Sequence, residues 1–91
     1  MCKKLILNAH GILLARDLIK SISSNEPIES IDGVIVEGDI KLNSVNYEHK
    51  LVIRNTTFRG RFDVSEAHFS RTLDLSGCIF EHNVNFCDVQ I

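Results

Sequence analysis

The residues of this 91-residue chain that could do chemistry are two thiols near its end, four histidines, a run of arginines and a pair of aspartates. A thiol beside a histidine can bind zinc or act as a nucleophile, and two convergent carboxylates can share acid–base work. Arg54, Arg59 and Arg61 in one short stretch would suit a phosphate. None of these sets has the spacing its chemistry requires. His10, His49, His68 and His82 include no i, i+4 pair and no cysteine at a zinc-finger interval, and His82 with Cys87 is the nearest approach to a metal pair. Asp63 and Asp74 lie eleven residues apart in similar contexts, and no phosphate loop or nucleophile elbow is present. The expectation is a chain with no catalytic, cofactor-binding or metal-binding residues, and not an enzyme.

The elements that position these residues are set by a repeat. Apolar residues fall at Ile31, Val36, Leu42, Tyr47, Ile53, Phe58, Val64, Phe69, Leu75, Phe80, Phe86 and Ile91, in steps that alternate five and six. A second series lies two residues before each of these after the first: Val34, Ile40, Val45, Leu51, Thr56, Phe62, Ala67, Leu73, Cys78, Val84 and Val89. Only Thr56 in either series is not apolar, and between residues 31 and 91 only Ile35, Val52, Ile79 and Cys87 are apolar outside them. Neither a helical nor an unbroken strand period gives such pairs. Residues two apart face one side of an extended segment, so each pair needs a bend before the next can also face inward. Four sides would close a ring of 22 residues, and residues 31–91 supply a little under three rings.

A 22-residue ring stacks residue j on j+22. Outward columns then bring opposite charges together: Glu37, Arg59 and Glu81; Asp39, Arg61 and Asn83; Lys41, Asp63 and Asn85; Asp32, Arg54 and Ser76. Ser44, Glu66 and Asp88 form a counterexample with two acids. Gly33, Asn55 and Gly77 align as one corner and Gly38 and Gly60 as another, with residues that tolerate turns. The arginines are therefore expected to form a solvated ladder with acidic neighbours and not an anion site. Cys78 occupies an inward slot that calls for a small packing group, whereas Cys87 points outward.

With Phe58, Phe69, Leu75, Phe80 and Phe86 as central residues and Thr56, Ala67 and Cys78 as the small residues before them, the chain resembles the pentapeptide-repeat family in a variant with alternating five- and six-residue steps. The resemblance covers about two thirds of the chain. It implies an all-β solenoid, a right-handed quadrilateral β-helix of just under three coils, and the four-sided ring is itself part of what this resemblance implies. The bulky Phe62 and Leu73 and the six-residue steps depart from the family's simplest pattern.

Residues 1–27 break the repeat and read as an N-terminal cap, with the β-helix running over 28–91. Leu5, Leu7 and Ala9 alternate as a short strand would, Ala9-His10-Gly11 reads as a turn, and Leu14, Leu18 and Ile22 predict a helix over 13–23. Pro27 pushes Glu26 toward an extended conformation. Ile35, outward by the repeat yet apolar, is expected to meet the cap.

Ten Lys plus Arg against twelve Asp plus Glu give a net charge of −2, which argues against a nucleic-acid or membrane partner. Cys2, Cys78 and Cys87 form no disulfide framework, so a cytoplasmic protein is expected. Lys3-Lys4-Leu5-Ile6-Leu7 resembles a secretory leader only until Asn8, His10 and Gly11 interrupt it. The functional expectation is a protein-binding or scaffolding module, self-associating as a homo-oligomer through an end made by Phe80, Phe86 and Ile91 that dimerisation, or continuation in a longer parent protein, would bury, with no small-molecule substrate evident. The alternative is inhibition of a topoisomerase by imitating DNA, as some members of the resembled family do; fewer than three rings and a charge of −2 weigh against it.

Overall fold

The computed structural model describes Leu7 and residues 11–90. Cys2, His10 and Ile91, and the Leu5 and Ala9 positions of the expected first strand, lie outside the described residues. The chain is mostly short strands in parallel sheets with little helix, an arrangement compatible with a β-helix or solenoid.

The elements in order are β1 (Ile12–Leu14), α1 (Ala15–Ser23), β2 (Ile31–Asp32), β3 (Ile35–Glu37), β4 (Ile40–Lys41), β5 (Asn46–Tyr47), β6 (Leu51–Arg54), β7 (Thr57–Phe58), β8 (Phe62–Asp63), β9 (His68–Phe69), β10 (Leu73–Asp74), β11 (Ile79–Phe80) and β12 (Val84–Asn85). They form four parallel sheets, ordered β1-β3-β7-β11, β2-β6-β10, β4-β8-β12 and β5-β9. Past β1 every pairing joins residues 22 apart, among them Ile31 with Ile53, Val36 with Phe58, Ile40 with Phe62, Tyr47 with Phe69 and Leu51 with Leu73. The repeat therefore becomes tiers, with each strand lying on the one a tier before.

Strands stay short because the backbone bends after each inward pair. Gly33, Ser44, Asn55, Glu66, Gly77 and Asp88 all have φ between 51° and 71°, one left-handed residue every eleven positions. Ser44, Glu66 and Asp88 are thus a second column of bends, which accounts for two acids stacking where the charge pattern predicted opposites. The Ser44 hydroxyl donates to Glu66 at 3.3 Å.

The core is the stack of inward residues. Val36, Ile40, Tyr47, Ile53, Phe58, Val64, Ala67 and Phe69 are essentially closed to solvent, and Thr56, the one polar inward residue, is equally buried with its hydroxyl donating to the Arg54 carbonyl. Phe58 lies parallel to Phe80 at 5.1 Å and edge-on to Phe62 at 4.9 Å. Aromatic pairs of these geometries add about 0.5–1.5 kcal/mol beyond area burial.

At the N-terminal end, β1 and α1 close the first tier. Ile12, Leu13 and Leu14 pair with Ile35, Val36 and Glu37, so Leu13 continues the inward column and Ile35 meets the N-terminal segment as its apolar character predicts. The helix begins at Ala15, two residues later than the spacing predicts, because Leu13 and Leu14 are drawn into the sheet. Ala15, Leu18 and Ile22 are buried, and the helix packs on β4 and β5. Asn25, at φ 56°, turns the chain away and exchanges two hydrogen bonds with Glu48: Asn25 Nδ2 donates to Glu48 Oε2 at 2.7 Å, and the Glu48 amide donates to Asn25 Oδ1 at 2.9 Å.

The Tyr47 hydroxyl donates to the Glu26 carbonyl at 2.6 Å and ties this turn to the first tier. Tyr47→Phe keeps the ring and removes the donor. It is expected to cost about 1–2 kcal/mol, since a part-buried carbonyl loses a partner. A urea titration of the two proteins with equal m-values checks this, and an unchanged midpoint would show that the contact contributes nothing.

Candidate interaction surface

Among the described residues, the side chains that could do chemistry lie in separate settings. Arg54 reaches Asp74, with Nη2 at 2.7 Å and Nε at 2.9 Å from the same carboxylate oxygen, and not Asp32 as the stacked column predicts. Asp32 instead accepts from Asn55 Nδ2 at 3.0 Å. Arg59 lies 4.0 Å from Glu37 as the ladder predicts, whereas Asp39 accepts from the Arg61 backbone amide at 2.8 Å and not from its guanidinium. His68 and His82 are exposed. His49 is half-buried, against the expectation of a surface histidine: its Nε2 lies 2.9 Å from the Asn25 carbonyl and its ring meets Tyr47 edge-on. Among the described residues no three His, Cys, Asp or Glu side chains gather as a metal set. No helix among them is long and apolar enough to cross a membrane.

Asp63 and Asp74 serve the bends. Each accepts its own i+2 backbone amide, from Ser65 and Ser76 at 3.0 Å, and Asn85 accepts from Cys87 in the same way at 2.9 Å. The Ser76 hydroxyl and amide, followed by Arg54, hold the Asp74 carboxyl down to about 2, and the Ser65 amide with the Asn43 side chain lowers that of Asp63. A depressed carboxyl pKa contributes stability that is present above the unfolded value of 3.8 and lost as pH falls toward the folded one. Asp74→Asn is therefore expected to lower the melting temperature at pH 7, with the gap to the wild type closing by pH 2. Melting curves at the two pH values check this; a gap independent of pH would show that the charge on Asp74 plays no part.

Cys78 donates its thiol to the Ile53 carbonyl at 3.2 Å, and burial raises its pKa. It therefore stays a neutral packing group at neutral pH. Cys87 is exposed. An open groove of about 930 Å³ is lined by side chains of mixed charge, among them Glu29, Glu48, His49, Lys50 and Arg71.

The surface that departs from the rest is the last tier. Its inward residues Leu73, Leu75, Cys78, Phe80 and Val89 are only half-buried, and Val84 and Phe86 are 38% and 40% exposed. One tier earlier the equivalent Phe62 and Val64 are 4% and 1% exposed. Ile79, outward on β11, is 59% exposed. Of the expected end residues, Phe80 and Phe86 lie here and Ile91 is outside the described residues. Leu73, Leu75, Ile79 and Val84 belong to the same surface; the repeat that located Phe86 could have located all but Ile79, whose signal was being apolar at an outward position.

The backbone is open on this side as well. The Phe62 and Val64 amides donate to Asn83 and Asn85 of the next tier at 3.0 Å, so by the same pattern the Val84 and Phe86 amides point beyond the last tier. Among the described residues no strand pairs with the outer edges of β10, β11 or β12. No family model, curated protein or solved structure matches the chain.

Proposed function

We propose that this chain is a non-catalytic protein-binding or scaffolding module of the pentapeptide-repeat type, a right-handed quadrilateral β-helix that self-associates through its last tier. The observation that carries the reading is the contrast between Phe62 and Val64, closed by the tier above them, and Val84 and Phe86, which are not. Apolar side chains and strand edges left open together favour a protein occupant, since only another backbone satisfies both. The charge of −2 and the mixed signs of the outward columns support a protein partner over nucleic acid. Bends, buried packing and an ion pair engage Asp63, Asp74, Cys78 and Arg54 in the fold.

Light scattering over a wide concentration range tests the reading. A mass that rises to twice that of the chain supports it. A constant single-chain mass at high concentration contradicts self-association.

A further inference from the structure

Acidic neighbours account for four of the six cations between residues 31 and 91. Lys41 stacks on Asp63, Arg54 reaches Asp74, Arg59 faces Glu37, and Arg61 follows Asp39 in its column. Lys50 and Arg71 break that rule. By the register that sets Leu51 on Leu73, Lys50 stands between Ile28 and Thr72, and Arg71 stands on His49. Both are exposed, and neither has an ion pair among the described residues.

The two cations line the same open groove of about 930 Å³. So does Val52, an outward residue of β6 and one of the four apolar residues outside the inward series, here half-buried. Pro27 and the half-buried His49 ring lie beside it in the lining. Departures from the repeat in both charge and hydropathy therefore meet in one hollow. The acids nearest in the stack are engaged elsewhere. Asp74, the sheet partner of Val52, is held by Arg54 at 2.7 Å, and the Glu48 carboxylate accepts from Asn25 Nδ2 at 2.7 Å.

We infer that this groove docks an extended acidic segment of a protein partner, with an apolar side chain over Val52 and carboxylates at Lys50 and Arg71. This rests on the protein-binding reading above, but on neither the last tier nor self-association. A guanidinium offers a carboxylate two parallel hydrogen bonds, and an apolar contact beside the pair excludes the water that would screen it. A peptide suits the lining better than a nucleic acid, because a continuous phosphate backbone would meet Glu29 and Glu48 and could place nothing apolar on Val52.

Selection of displayed random peptides against the intact chain tests this. The enriched peptides are then synthesised and titrated into the wild type, a Lys50→Gln/Arg71→Gln protein and an Arg59→Gln protein. Lys50, Arg71 and Arg59 are all exposed, so the substitutions leave the core alone, and matching thermal melts check it. Peptides with Asp or Glu next to an apolar residue are expected to be enriched. Their affinity should fall at least about tenfold in the double variant, as befits lost charge-assisted hydrogen bonds, and stay unchanged in Arg59→Gln. No enrichment, enrichment of peptides without acids, or affinity that survives the double substitution would overturn the groove; in a protein that light scattering finds dimeric, the proposed function would still stand. A single-stranded oligonucleotide that binds the wild type more tightly than any selected peptide, and weakens in the double variant, would overturn the peptide as occupant and assign the groove to a phosphate backbone.

Discussion

Phe58→Ala is expected to be the most damaging single truncation in the chain. Phe58 is 1% exposed and sits at the middle of the stack, between Val36 on one tier and Phe80 on the next, with Phe62 against its edge. Removing the ring leaves a cavity that the hydrogen-bonded ladders above and below hold open. Losses for such truncations run about 3–5 kcal/mol, against a total stability of about 5–15 kcal/mol for a domain. At this chain length that lowers Tm by more than about 12 °C. Arg59→Ala, beside it in sequence, removes an exposed ion pair with a 4.0 Å gap and should cost no more than about 0.5 kcal/mol. Thermal unfolding of both proteins checks the ranking; a Phe58→Ala protein that melts with the Arg59→Ala one would mean that the aromatic stack is not the core.

Gly60→Ala should follow closely, for a reason that differs from the usual glycine argument. Gly60 does not have a positive φ. A Cβ there would collide with the Gly38 carbonyl and come within 2.6 Å of Asp39 Oδ1, so tier spacing at this corner depends on the missing side chain. The obstacle is backbone on the neighbouring tier, which cannot rotate away. Overpacking of this kind costs about 1–3 kcal/mol and sometimes more. Gly33→Ala is the comparison: at φ 69° it has the unfavourable conformation, but a Cβ there meets nothing within 4 Å. It should lose only the left-handed penalty of about 1–2 kcal/mol. Denaturant midpoints that ranked Gly33→Ala as the worse variant would contradict the close-approach account.

The inward columns were legible in the sequence because they are fixed by one physical requirement, that residues two apart share a side and the next pair must turn to join them. That requirement gives the inward pairs, and the four-sided ring that the resemblance implies adds the 22-residue register, with Val36 over Phe58 and Ile40 over Phe62. What side chains do outside the stack follows from reach, which spacing does not encode. Arg54 leans forward to Asp74 and leaves Asp32 to Asn55. Gly60 reads in sequence as a turn residue, though its role is to let two carbonyl-bearing corners approach. Ser44, Glu66 and Asp88 carry left-handed turns without glycine or asparagine to announce them. The helix start was displaced because Leu14 lies at helical spacing from Leu18 and Ile22 yet pairs with Glu37 in the sheet, beside Leu13 on Val36.

The candidate surface was legible in part for the same reason. Phe80 and Phe86 mark the last tier by their place in the repeat, but whether a residue is covered depends on the tier beyond it, so exposure of Val84 at 38% had to come from the structure. Ile79 stood out only as an apolar residue in an outward slot.

Backbone amide exchange, read residue by residue at low and high protein concentration, tests the open last tier most directly. The amides of Ile40, Leu42, Phe62 and Val64 are bonded to the following tier and should exchange slowly at both concentrations. Those of Val84 and Phe86 should exchange rapidly when dilute and become protected when concentrated. Val84 and Phe86 amides whose exchange is the same at both concentrations would contradict the last tier as the association surface.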